Sequence, residues 1–371
     1  MGPMAGIRVL DLSQIVSGPM AAAWLTDQGA DCIKLESPAG DPVRTVGTRK
    51  GTMSAIFVSV NRGKRGETLD LKNRAHHARF EELVLWADVL VENFRPGTME
   101  KLGFPYERCA ALNPRLVWCS ITGFGQDGPY TNIRAYDPVV QAASGIAACQ
   151  LDGQGNPSLV QSLVCDKVTA LTAAQAITAA LFSRERTGEG QKVDVSMLDS
   201  AIAFNWPESM YNHAFVDPAD PFPDYGTLTR LWPAKDGLVS MAAIQDSEFH
   251  AMREALGNPE TLAKPEYESM AGRFQNLATL LPAMGAEVAK RTRAELMEGF
   301  KASGAVGCTV NSRTELLLDP QVAHNGAIIT VDQDDAGPVR VARHPARFSK
   351  TPAVASPGPA PRLGSSVHPQ E

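Results

Sequence analysis

The chain has 371 residues, enough for two domains and a large core. Its formal net charge of −6 argues against general nucleic-acid binding, which needs a basic face. No apolar run reaches the roughly 18 residues of a membrane span, and the first residues lack the basic and apolar regions of a signal peptide, so a cytoplasmic protein is expected.

In chain order, residues 7–12 read as a short apolar strand, residues 18–29 as an Ala-rich helix and residues 31–36 as a second strand ending in an acid. This is a βαβ unit, which implies parallel strands. Glu36 stands about where a dinucleotide fold puts its ribose-binding acid. The turn Ser13-Gln14-Ile15-Val16-Ser17-Gly18-Pro19, however, has one glycine where that fingerprint wants three, so no nicotinamide cofactor is expected. Alternation continues with a strand at 66–71, a charged helix at about 74–86, and strands at 87–92 and 116–121. Their continuous apolar runs suit strands buried on both faces. Residues 169–182 read as a buried helix and 191–197 as a further strand.

Character changes near Asp217, where Pro218, Pro221 and Pro223 mark a linker. Beyond it come a strand at 237–243 and helices at about 246–256, 273–281 and 286–302, a smaller α+β domain reaching Asp319. The chain then resumes with a strand at 327–331. The tail from Thr351 is rich in Pro, Gly and Ser, a composition that reads as disordered. This predicts a large domain from residues 1–216 and 320–371, and a small one from 217–319. The six cysteines, Cys32, Cys109, Cys119, Cys149, Cys165 and Cys308, form no Cys-x-x-Cys pair and read as reduced thiols. No histidine or cysteine cluster has metal-ligand spacing, and no metal is expected; His76-His77 reads as a solvated face.

Two dense runs carry the chemistry: Ser120-Ile121-Thr122-Gly123-Phe124-Gly125-Gln126-Asp127-Gly128-Pro129-Tyr130, and Tyr136-Asp137-Pro138-Val139-Val140-Gln141-Ala142-Ala143-Ser144-Gly145. Asp followed by Pro is also a good helix start, since Asp caps free N–H groups and Pro is tolerated in the first turn. The two roles are compatible, because a helix N-terminus keeps a carboxylate ionised. Further runs are Asn61-Arg62-Gly63-Lys64-Arg65, residues 87–97 through Asn93-Phe94-Arg95-Pro96-Gly97, residues 184–191, Val195-Ser196-Met197-Leu198-Asp199 and Leu318-Asp319-Pro320-Gln321-Val322. Together they resemble the family III CoA-transferases, the CaiB/BaiF family, along nearly the whole chain.

The resemblance implies a Rossmann-like large domain made from both chain ends, a smaller inserted domain, and a homodimer whose subunits are linked like rings. Ala360-Pro361-Arg362-Leu363-Gly364 resembles the family's ending, which packs on the protein and replaces the expectation of disorder. It implies that acyl-CoA and a carboxylic acid are the substrates, with no tightly bound cofactor, and that Asp137 carries acyl groups and CoA by turns. It places coenzyme A against Ile15, Val16 and Ser17, against Asn93 and Phe94, and against Lys101 through a phosphate. Arg44, Arg49 and Lys64 are further basic candidates. Trp206, Tyr211, His213, Tyr225 and Trp232 are candidates for the acyl pocket or for the core. The family also contains α-methylacyl-CoA racemases, which need an acid and a base on opposite faces of the carbon beside the thioester. Their motif has His directly before the Asp. Here Tyr136 holds that place, and a phenol is a poor base at neutral pH; Asp166 stands where the second acid is expected. A CoA-binding protein without turnover is the non-enzymatic alternative.

Overall fold

The computed structural model describes residues 2–217 and 219–367; Pro218, one of the expected linker prolines, lies outside the described residues. The chain divides into two compact units, Met1–Tyr211 with Pro320–Glu371, and Asn212–Asp319.

The first unit is built on six parallel strands: β1 (Arg8–Asp11), β2 (Asp31–Glu36), β3 (Arg65–Thr68), β4 (Val89–Glu92), β5 (Val117–Thr122) and β6 (Lys192–Ser196). Their spatial order is β3-β2-β1-β4-β5-β6. Successive side chains of a strand face opposite ways. Val9, Cys32, Val89, Val91, Val117 and Cys119 therefore enter one core, and Leu10, Ile33, Leu90, Leu116 and Trp118 enter the other. Helices α1 (Ser17–Asp27), α2 (Ala55–Asn61), α3 (His77–Trp86), α4 (Asp137–Ala143), α5 (Val164–Thr187) and α6 (Met197–Ser209) surround the sheet. The first core takes Ala21, Ala22 and Leu25 of α1 and the small residues Ala170, Ala173, Ala174 and Ala180 of α5, and the second takes Phe80, Leu83 and Val84 of α3. Burial on both faces is why the strands read as continuous apolar runs.

Several helices have no counterpart in the expected elements, and two of them show why. Ala55–Asn61 is rich in β-branched residues and looks like a strand, but the Ser54 hydroxyl accepts the Phe57 N–H and caps a helix. The Ser196 hydroxyl likewise caps α6 through Asp199 N–H, ending β6 one residue before the expected strand does.

The tail has no regular structure, yet it is packed. Arg44 donates to Pro361 O, Gly63 N–H to Gly358 O, and Gln333 pairs reciprocally with the Ala360 backbone. Backbone pairing of this kind needs no helix or strand propensity, so composition alone misreads it.

In the second unit, β7 (Leu231–Ala234), β8 (Gly237–Met241) and β9 (Gly307–Thr309) form an antiparallel sheet. Helices α7 (Asp246–Ala255), α8 (Leu277–Val288) and α9 (Arg293–Ser303) share its core, which holds Trp232, Phe249, Met252, Leu296 and Phe300. The break between α8 and α9 falls inside the expected helix at 286–302. Thr292 forces it with a capping box, in which its hydroxyl accepts Glu295 N–H and Glu295 accepts Thr292 N–H. Among the described residues no helix is long and apolar enough to cross a membrane.

Candidate active site

The strand order reverses between β1 and β4. A crevice opens at such a point, outside the carboxyl ends of the strands. The loop after β1 and the loop after β4 meet there. Asn93 Oδ1 accepts Gln14 N–H at 2.7 Å, and Asn93 Nδ2 donates to Gln14 O at 2.7 Å. Glu92, ending β4, accepts Phe94 N–H at 2.8 Å; burial pushes its carboxyl up to about 7. The crevice is a cavity of about 340 Å³, with Ile15, Ser17, Asn93, Phe94, Tyr136 and Asp166 among its walls. Gly18 lets α1 start close to this turn, because a Cβ there would lie 2.3 Å from Ser13 Cβ.

Two aspartates meet at this cavity, and they differ: Asp166 lines it and Asp137 does not. Asp137 is the first residue of α4 and only 1% exposed. Its Oδ1 accepts Gln141 Nε2 at 2.5 Å, and its Oδ2 accepts Asp166 N–H at 2.9 Å. Asp137 thus satisfies a first-turn N–H of α5, whose own cap residue Leu163 supplies no side-chain bond. It does not cap its own helix, and it is not among the cavity walls. Gln141 is fixed in turn, donating to Val160 O and Ser162 O and accepting Val160 N–H.

Asp166, in the first turn of α5, does line the cavity. Burial and the neighbouring Asp137 charge push its carboxyl up to about 6, against the hydrogen bonds from the Ser17 hydroxyl and amide. A carboxylate in that range is ionised at neutral pH and more basic than a surface aspartate. Both properties suit a nucleophile that must attack and later leave. Ser17 begins α1, so the N-terminus of that helix brings an amide to this carboxylate.

Of the residues expected at coenzyme A, Ile15, Ser17, Asn93 and Phe94 are brought together on the cavity wall. Val16 caps α1 and is buried, outside the wall. Lys101 ends the short helix Thr98–Lys101, exposed and outside the wall. Arg44 and Lys64 are spent inside the protein: Arg44 pairs with Glu36 at 2.6 Å, and Lys64 pairs with Asp11 at 2.7 Å. Glu36, weighed above as a ribose acid, is held by that same Arg44. Arg49 is exposed in a two-residue strand. Trp206 is exposed and outside the wall, and Trp232 is buried in the second unit's core. The sequence reading missed Gln14, Arg95 and Arg134 as wall residues. Both arginines are exposed and neither has an ion-pair partner among the described residues. Their signal was proximity, since Arg95 follows Phe94 and Arg134 stands three residues before Asp137.

Comparison with known proteins decides the family. The model of CoA-transferase family III matches residues 4–367. This chain belongs to that family.

The transferase is 32% identical to the succinate–glutarate CoA-transferase of Agrobacterium fabrum, covering 98% of this chain and 93% of that one. It is 36% identical to the acetyl-CoA:oxalate CoA-transferase of Acetobacter aceti, over 88% and 86%. A solved CaiB/BaiF family protein from Brucella suis superposes with a TM-score of 0.84 at 30% identity, covering 98% and 96%. The activity of the chain is CoA transfer from an acyl-CoA to a carboxylic acid.

Proposed function

We propose that the transfer runs through Asp166 rather than the expected Asp137. The observation that carries this reading is access: Asp166 lines the cavity, whereas Asp137 does not and both its oxygens are held by Gln141 and the Asp166 N–H. Asp166 attacks the thioester carbonyl of the donor, forming a mixed anhydride and releasing the CoA thiolate. The thiolate attacks the Asp166 acyl carbon and expels the donor acid, leaving an aspartyl-CoA thioester. The acceptor carboxylate attacks that thioester carbonyl, and the released thiolate takes the acceptor acyl group from the new anhydride. This is covalent catalysis by one ionised carboxylate. The N–H groups at the start of α1 are the donors available to the oxyanions that form. The test is to treat the enzyme with an acyl-CoA, trap with hydroxylamine or borohydride, and read peptides by mass spectrometry. Modification is expected on Asp166; modification of Asp137 alone would return the role to that residue.

The first unit is the CoA-binding domain in this reading, and the second, entered and left within it, is the inserted small domain. The relatives' names make short dicarboxylic acids the first acids to try. The free guanidinium groups of Arg95 and Arg134 suit a polyanionic substrate. Lys101, exposed and outside the cavity wall, remains the proposed partner of a CoA phosphate. A charge-assisted hydrogen bond at an exposed position contributes modestly, so Lys101→Ala should weaken CoA binding by roughly tenfold in calorimetry. Unchanged affinity would reassign the phosphate to the two arginines.

The homodimer is supported by apolar surface on the first unit. Leu171 and Phe182 of α5 are exposed beside Trp24 and Phe348, around a groove of about 590 Å³. Apolar patches of this kind mark interfaces. The ring-like linkage is taken from the family resemblance, and linked rings cannot part without unfolding. Sedimentation should therefore give a dimer that survives dilution to nanomolar concentration; a monomer appearing on dilution would exclude linkage. The six free cysteines fit a reducing, cytoplasmic setting.

A further inference from the structure

The turn between β1 and α1 contains a conformation that needs explaining. Ile15 has φ +70°, one of two non-glycine residues at positive φ among the described residues. For a β-branched residue this is a costly backbone state, which persists only where its surroundings impose it. Here they do so through side chains. Ser13 N–H donates to Asp11 Oδ1 at 2.9 Å, and Ser13 O accepts from the Lys34 ammonium. Asn93 takes both backbone groups of Gln14. Ile15 N–H donates to the Asp41 carboxylate, at 3.1 Å and 3.2 Å to its two oxygens.

The groups that hold this turn are themselves sealed from water. Lys34 Nζ lies 3.4 Å from Asp41 Oδ2 and 3.7 Å from Asp11 Oδ2, and Lys64 Nζ lies 2.7 Å from Asp11 Oδ2. The side chains of Lys34, Asp11, Asp41 and Lys64 are fully buried. Two ammoniums and two carboxylates form a balanced set. Asp41 has a fixed seat in it, because its own N–H donates to Glu36 at 2.8 Å and its carboxylate also accepts Val43 N–H at 3.0 Å. A buried ion cluster costs desolvation and is weak support for stability by itself. It does give the carboxylate that meets Ile15 a position it cannot leave.

We infer that Asp41, anchored by Lys34, is a positioning residue for the transfer reaction: it fixes the left-handed turn at Ile15 and so keeps Ser17 on Asp166. The inference rests on the reading of Asp166 as the acyl carrier. The chain of contacts is short. Ile15 and Ser17 are separated by one residue, and both line the cavity with Pro42, the neighbour of Asp41. Ser17 supplies the hydroxyl and amide that oppose the upward pressure on the Asp166 carboxyl. The other charged groups that act on Asp166 are Asp137 and Lys167, and neither touches the turn. Loosening the turn therefore acts on Asp166 through Ser17.

The experiment uses the full-length enzyme and its pH–rate profile. Asp41→Asn keeps the shape and removes the charge. It should lower kcat by about ten- to a hundred-fold, the scale of a small misplacement in an active site. It should also move the acid limb of kcat/KM upward by roughly half to one pH unit, the value of a lost hydrogen bond to the carboxylate. Ser17→Ala should move the limb in the same direction. The double variant should move it no further than Ser17→Ala alone, since one contact carries the effect. If Asp41→Asn does not fold, Ile15→Pro cuts the same link from the loop side. Proline has no N–H for Asp41 and cannot take φ +70°, and it leaves the buried charges paired. A folded variant with a lowered rate and an unmoved acid limb overturns the inference, as does additive movement in the double variant. Trapping on wild type separates the two claims: a labelled Asp166 with an unmoved limb defeats the positioning role alone, whereas no label on Asp166 defeats the mechanism first.

Discussion

Asp166→Asn is expected to lose CoA transfer, by on the order of 10³-fold or more, and to unfold less readily than wild type. The loss follows from removing the attacking oxygen. The gain follows from the raised carboxyl. An unfolded chain releases this proton near 3.8, and the folded chain holds it to about 6. The folded state therefore binds more protons between those values, and stability falls as pH rises through them. The interval between them corresponds to about 3 kcal/mol at neutral pH, an upper bound for a residue 7% exposed at a cavity wall. The neutral amide should recover about 1–3 kcal/mol at pH 7 and nothing below about pH 4, measured by urea unfolding at both values. Asp137→Asn makes the contrast. Its amide can accept only one of the two bonds from Gln141 and Asp166 N–H, leaving a buried donor opposed. It should lose about 1–3 kcal/mol and keep part of its turnover. Stabilisation without loss of activity in Asp166→Asn would reverse the assignment.

The reason we propose Asp166 in place of Asp137 is physical, and it limits what the sequence could tell. Both stand in the first turn of a helix, and both precede apolar runs. Local chemistry favours Asp137, because Pro follows it. Which of the two carboxylates turns to the cavity is decided by how α4 and α5 cross, and no spacing encodes that. The parallel sheet was legible, since strands covered on both faces must be apolar throughout. The crevice was not legible that way: the resemblance alone pointed to the loops after β1 and β4, and the strand order that brings them together was not read from the sequence. Burial of Lys34 and Lys64 was legible only in part. Lys34 sits between Ile33 and Leu35 in a strand with no exposed face, and that placement alone requires a partner. Lys64 reads as a phosphate ligand only while Asp11 is thought of as the end of a strand, not as its counter-ion. The packed tail is the opposite case: its composition carries no folding signal, and its order comes from Arg44, Gly63 and Gln333 of the body.

The buried cluster yields the largest expected effect on stability. Lys34→Met keeps the length of the side chain and removes the ammonium that faces Asp41, Asp11 and Ser13 O. Breaking a buried ion cluster by deleting one partner leaves uncompensated charge, and typically costs about 3–5 kcal/mol. Asp11 retains Lys64 at 2.7 Å, so the damage falls mainly on Asp41. Lys34→Met with Asp41→Asn removes both members and should regain part of the loss. The pH dependence has a definite sign. Burial alone would lower the Lys34 ammonium, but Asp11, Asp41 and Glu36 outweigh it, and it is held above 10.5. Its contribution is therefore complete below 10.5 and is lost as pH rises through its folded value. Burial would raise Asp11, but Lys34 and Lys64 outweigh it, and it is held below 3.8. Its contribution is complete above 3.8 and is lost as pH falls through its folded value. Lys34→Met should thus be weakened across the neutral range and lose the alkaline decline that Lys34 gives wild type. It should also lose part of the acid decline, since Asp11 keeps one ammonium instead of two. A Lys34→Met protein within about 1 kcal/mol of wild type at pH 7 would mean that water reaches the cluster and that these charges are not paired as a buried set.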